Sequence, residues 1–183
     1  LPLAFASILM GAAISYDQEY FNWKILVLAL VTATFLQILS NLANDYGDAL
    51  SGVDGENRLG PTRAIQSGEV SVKEMRIAVI LFSLLSLLSG IALLVLSFSS
   101  ISGLFMLFLF VGLLAIAAAI KYTVGKNAYG YSGLGDISVF IFFGIVGVMG
   151  SSYLFNQTVQ FVNILPAVSI GFFAVGVLNL NNL

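Results

Sequence analysis

Apolar residues run through this chain in long unbroken blocks, and polar residues gather between them. The blocks are continuous rather than alternating, which predicts helices and not strands. Six spans follow, at approximately 1–15, 24–43, 76–97, 101–120, 137–155 and 162–183. Most approach the ~20 residues that a helix needs to cross ~30 Å of hydrocarbon. Pro166 falls inside the last block, where a neighbouring helix or a local bend can accommodate it. The chain starts on Leu1 with no basic segment ahead of the first block, so residues 1–16 read as the remainder of a membrane helix and not as a signal peptide. The closing "LNLNNL" stops inside an apparent helix, and both ends are expected to continue.

Composition supports the membrane reading. Apolar residues make up 59% of the chain and charged residues 9%, against ~45–50% apolar usage in soluble domains. The mean hydropathy is +1.02. So few charges cannot coat a soluble globule. Cys and His are absent from the sequence, which excludes disulfides, thiol catalysis, His-based zinc sites and Ser-His-Asp hydrolysis within it. A net charge of −2 without a basic tail argues against nucleic acid as a partner.

The charge that exists is concentrated. Ten of the sixteen charged residues lie between Asp45 and Arg76, in the connection between the second and third spans. That connection and the one between spans four and five hold Arg58, Arg63, Lys73, Arg76, Lys121 and Lys126; the alternate connections hold only Lys24. By the positive-inside rule the two basic connections face the cytoplasm.

Within "TATFLQILSNLANDYGD", Thr34, Gln37, Asn41, Asn44 and Asp48 recur at three- and four-residue intervals, and at 100° per residue they form one narrow helix face flanked by Asp45. Polar groups are costly against hydrocarbon, so this face should look into a bundle interior or a wet cavity. Thr34 and Gln37 read as interhelical glue. Asn41, Asn44 and Asp48 read as a site, because Asp45, Asp48, Asp54 and Glu56 supply oxygen ligands without nitrogen or sulfur competitors. Hard oxygen donors of this kind suit Mg2+, which takes one or two carboxylates and completes its shell with water and substrate phosphates. Arg58 and Arg63 follow the acids, and "KYTVGK" brings Lys121, Tyr122 and Lys126 from the other basic connection. A metal site flanked by such cations suits a diphosphate. Lys73, Arg76 and Lys121 are equally read as topology determinants that meet lipid headgroups.

An internal echo accompanies the stripe. Asn41, Leu42 and Asn44 match Asn179, Leu180 and Asn182, 138 residues later, at the close of an apolar helix on the same side. The match predicts a repeat whose second acidic cluster begins just after Leu183.

Together these strings resemble the UbiA superfamily of intramembrane prenyltransferases. The first Asp-rich motif of that superfamily appears as Asn44-Asp45-Tyr46-Gly47-Asp48, its Arg-x-x-x-Ser-Gly element as Arg63 to Gly68, and its Tyr-x-x-x-Lys element as Tyr122 to Lys126. "SNLANDYGDALSGVD", "RLGPTRAIQSG", "KYTVGK", "YGYSGLGDISV" and "LNLNNL" are similar as whole strings to the branch that prenylates 1,4-dihydroxy-2-naphthoate. The resemblance implies an all-α polytopic bundle of typically nine helices, of which residues 1–183 hold about six in one truncated domain. It implies Mg2+ held by Asp45 and Asp48, with the second motif beyond residue 183, against a polyprenyl diphosphate. Arg63, Lys126, Tyr122, Asn41 and Asn44 would hold the diphosphate, and Asp136 would orient the naphthoate ring or help deprotonate its hydroxyl. Stabilisation of a helix N-terminus is the plainer role for Asp136. The third acid of the family motif usually follows Asp48 by four residues; here Gly52 stands there and Asp54 is the next acid, which puts the metal role of Asp54 in question. The implied location is a bacterial inner membrane with the loops in the cytoplasm. Other readings are an acceptor such as 4-hydroxybenzoate, a CDP-alcohol transferase, whose aspartate spacing does not match, and a transporter or cation channel, whose acids should lie near the bilayer midplane.

Overall fold

A computed structural model describes residues 1–52 and 64–181. Six helical segments cross one another antiparallel: α1 (Pro2–Asp17), α2 (Trp23–Ser51), α3 (Val72–Ser97), α4 (Gly103–Lys121), α5 (Gly135–Asn156) and α6 (Ile164–Asn181). Five are long and apolar enough to span a membrane, and α1, at 16 residues, is the shorter apolar one. No strand occurs among the described residues. Leucines, valines and phenylalanines such as Leu88, Phe110 and Phe173 cover the outside of the bundle. That surface is what a lipid solvent selects.

The expected spans hold, with two informative differences. The second apolar block ends near residue 43, but α2 continues to Ser51 and carries Asn44, Asp45 and Asp48 on its last turns. It stops where Gly52 adopts φ 70°, a left-handed turn in which a side chain would be strained. The family-pattern position four residues after Asp48 is therefore the helix terminator. The second difference lies in α5, whose central stretch Phe140–Gly150 widens to π-helical turns. Pro166 needs no bend. It lies in the first turn of α6, where its missing N–H has no intrahelical partner to lose.

Between helices in lipid, close packing of small residues replaces the hydrophobic drive. Ala4, Ser7, Gly11, Ala12 and Ser15 are the buried face of α1. Gly11 meets Ser151 and the Val148–Ser152 backbone so tightly that an added Cβ would overlap them, and a Cβ at Gly147 would lie 2.7 Å from the Ser7 Cβ. Further along α5, a Cβ at Gly144 would lie 2.6 Å from the Ala167 carbonyl of α6. Several helix hydroxyls bond within their own helices: Ser83 donates to Val79 O at 2.7 Å, Ser86 to Phe82 O at 2.7 Å and Thr34 to Leu30 O at 2.7 Å. Thr34 is thus not glue between helices. Bonding the carbonyl one turn back costs no partner and leaves no polar group facing lipid.

Two apolar clusters sit at opposite ends. One joins Ala12, Ile25, Ala29, Leu93, Leu94, Phe105, Leu154 and Phe155, beneath a polar network in which Asn156 donates to Gln18 at 3.0 Å and Gln18 donates to Gln160 at 2.6 Å. The other seats Leu39 and Ala43 of α2 against Val79 of α3 and against Ile116, Ala119 and Ile120 of α4. This second cluster fixes the end of α2 that carries the acids.

Gly11→Val should destabilise the bundle by about 1–3 kcal/mol through overpacking at the α1–α5 contact. Gly112→Ala, where an added Cβ meets nothing within 4 Å, should change stability by less than about 1 kcal/mol. Unfolding titrations of the two variants in mixed micelles check the contrast.

Candidate active site

The acids of α2 end where the α4–α5 connection crosses them. Gly47 lies against Thr123, and a Cβ there would come within 2.6 Å of the Thr123 carbonyl carbon. The close approach lets the buried Thr123 hydroxyl donate to Ala43 O at 2.9 Å and to Asn44 Oδ1 at 3.3 Å. A satisfied buried hydrogen bond of this kind contributes roughly 1 kcal/mol, and leaving it unmade costs more. Asn44 is thereby held by the loop, while Asn41, one turn earlier, stays exposed on α2.

Asp48 is 6% exposed, and its Oδ1 accepts a hydrogen bond from the Tyr131 hydroxyl. Ser51, three residues on, donates to Asp48 O at 3.1 Å. Asp45 lies half-buried one turn before Asp48, about 60° away around the helix. Tyr131 comes from a short 3₁₀ turn, Tyr129–Ser132, which is fastened on three sides. The Tyr129 hydroxyl donates to Ala118 O at 2.9 Å and lies 2.9 Å from Ser138 Oγ, and Gly130 N–H donates to Tyr122 O at 2.9 Å.

Tyr122 stands at the centre of this end. Its ring meets Tyr129 edge-on, with centroids 5.4 Å apart, and its hydroxyl lies over Gly135, where a Cβ would come within 2.8 Å of it. Burial raises the Tyr122 pKa above the ordinary phenol value, with Tyr129, Asp136 and Asp48 adding to the effect. Burial also raises that of Tyr129, against an opposing hydrogen bond to Ser138. The two phenols remain neutral donors well into the alkaline range. Asp136, exposed in the first turn of α5, has Asn179 Nδ2 of α6 at 3.4 Å from each of its oxygens. The echo residue Asn179 thus reaches the same end of the bundle as Asn44; Asn182 lies outside the described residues.

Of the residues singled out in the sequence, the fold brings Asn44, Asp45, Asp48, Tyr122 and Asp136 to one end. Lys126 is exposed on the loop after α4, and Lys121 folds its ammonium beside Gly125. Arg58, Arg63, Asp54 and Glu56 lie outside the described residues. Among the described residues, no three acids stand close enough together to hold a metal ion. Asp45 and Asp48 alone still offer the one or two carboxylates that a hydrated divalent ion takes. Three contributors were not foreseen: Thr123, Tyr129 and Tyr131. A signal existed, since "YGYSG" places two phenols on either side of a glycine in a loop on the same membrane side as the acids.

The UbiA prenyltransferase family model matches residues 4–183. The chain belongs to the UbiA prenyltransferase family. It is an integral membrane protein, as the five spanning helices and the family both indicate. It is 51% identical over 183 residues to the 1,4-dihydroxy-2-naphthoate octaprenyltransferase of Escherichia coli, covering 100% of this chain and 59% of that relative. The Haemophilus influenzae protein of the same name is 50% identical over 185 residues, and the Mycobacterium leprae one 36% over 183, each with 60% of its length covered. The chain thus spans about three-fifths of the curated relatives it matches. No solved structure matches it.

Because the native pKa values of Tyr122 and Tyr129 lie above the unfolded value of ~10, stabilisation from their buried neutral rings is complete below that value. It is lost as pH rises through the raised native values. In a phenolate absorbance titration of the folded protein, Tyr122→Phe and Tyr129→Phe should each delete part of the late-ionising component.

Proposed function

We propose that this UbiA-family protein transfers a polyprenyl chain from a polyprenyl diphosphate to 1,4-dihydroxy-2-naphthoate, with loss of the naphthoate carboxylate as CO2, giving the hydroquinone form of demethylmenaquinone for menaquinone synthesis. The observation that carries the reading is the convergence of Asp48, Tyr122 and Asp136 at one end of an apolar bundle. The names of the half-identical relatives point the same way. A transporter would place its acids near mid-span, whereas Asp45 and Asp48 occupy the last two turns of α2.

In this reading, Asp45 and Asp48 hold Mg2+, which when bound neutralises negative charge on the diphosphate leaving group. Oxygen-only donors favour Mg2+ over thiophilic metals. Asn41 and Asn44 line the diphosphate side of α2. Arg63 and Lys126 take its outer oxygens as long, flexible cations can, and Tyr122 donates a hydrogen bond as charge builds on the departing group. The raised pKa of Tyr122 serves that role because the phenol stays protonated. Asp136, set by Asn179, faces the ring hydroxyl of the acceptor and takes its proton as the ring carbon is alkylated. Asp54, two residues beyond the family position in the sequence, is a third candidate ligand. Apolar helix faces carry the isoprenoid tail and keep water from the allylic cation. The charged end faces the cytoplasm of a bacterial inner membrane.

The test is the intact protein in detergent with Mg2+, a polyprenyl diphosphate and dihydroxynaphthoate, with 4-hydroxybenzoate as the competing acceptor. Asp48→Ala should lower kcat by at least about a hundredfold. Arg63→Ala should raise the KM for the diphosphate by about 10- to 100-fold, the equivalent of one lost charge-assisted hydrogen bond. Near-normal turnover by Asp48→Ala at saturating Mg2+, or preference for hydroxybenzoate, would refute the respective part.

A further inference from the structure

We propose that Tyr131 is a positioning residue for the Asp48 carboxylate, orienting it as a one-oxygen ligand for a divalent cation; the inference rests on the metal-binding reading of Asp48. At three residues per turn, positions 129 and 131 of a 3₁₀ turn point about 120° apart. The Tyr129–Ser132 turn uses that divergence. Tyr129 points back to Ala118 and Ser138, while Tyr131 points across to α2 and gives its hydroxyl proton to Asp48 Oδ1. Gly130 locks the turn from a third side, its N–H on Tyr122 O, at a spot where a Cβ would lie 2.6 Å from that same oxygen. Ser51, 3.5 Å from the Tyr131 hydroxyl, flanks the contact from α2.

The consequence is chemical rather than structural. Tyr131 is 50% exposed, so its ring carries little of the packing, and its hydroxyl is directed at a carboxylate that is 6% exposed. A neutral phenol that donates to one carboxylate oxygen fixes the orientation of the group without adding charge to it. An ion that demands near-ideal octahedral geometry gains from such a fixed ligand. Hydrogen-bond partners of metal ligands typically govern metal affinity by about 10–100-fold.

The experiment is Mn2+ binding by the intact protein in detergent, read by electron paramagnetic resonance of the free ion with inorganic pyrophosphate present, on the wild type, Tyr131→Phe and Asp48→Ala. Tyr131→Phe should weaken Mn2+ binding by about tenfold or more, while the loss of one donor to the buried carboxylate lowers the thermal unfolding midpoint by only a few degrees. In turnover it should raise the Mg2+ concentration for half-maximal rate by a similar factor, leave the KM for the naphthoate unchanged, and recover at saturating Mg2+. If Asp48→Ala loses binding while Tyr131→Phe stays within twofold of wild type, the Tyr131 inference alone fails. If Asp48→Ala binds Mn2+ like the wild type, Asp48 is no ligand and the inference falls with it.

Discussion

A carboxylate buried at the end of a membrane helix is the constraint around which the charged end of this bundle is built. Burying an ionised Asp48 is costly unless donors meet it. The α4–α5 connection lies against α2 at that level, and it supplies Tyr131 directly and Thr123 one turn away. The connection can lie so close only because Gly47 has no side chain and because Leu39 and Ala43 hold α2 against α3 and α4 just below. Sequence chemistry, close packing and site electrostatics are therefore one arrangement seen at three scales.

The two polar ends of the bundle differ in chemistry. At the far end, Gln18, Asn156 and Gln160 bond to one another, and among the described residues no charged side chain takes part. Such a network satisfies its own members and has the look of a structural fastening between α1 and α5. The near end instead places acids and phenols side by side, and burial shifts both Tyr122 and Tyr129 toward the neutral form. Perturbed groups collected at one end of a bundle are where chemistry is expected.

Much of this was legible in the sequence, for physical reasons that also explain the gaps. Continuous apolar runs report contact with lipid, so all six spans were visible. Hydropathy goes silent once a helix leaves the apolar layer, and the turns of α2 that carry Asn44, Asp45 and Asp48 were recoverable only from their three- and four-residue spacing. The polar stripe marked the helix face on which Asn44 and Asp48 lie but not the behaviour of Thr34, whose hydroxyl bonds within its own helix. Tyr131 meets Asp48 across 83 residues, a pairing that no local periodicity encodes. The widening of α5 between Phe140 and Gly150 left no trace that hydrophobic spacing could reveal.

The central claim is that the end of α2 binds a diphosphate through divalent ions. Crystals of the intact protein soaked with Mn2+ and inorganic pyrophosphate would test it most directly through anomalous scattering. The account predicts a peak within coordination distance of the Asp48 carboxylate, with Asp45 adjoining. A peak confined to the opposite polar end, or none at Asp48 while pyrophosphate is bound elsewhere, would contradict it.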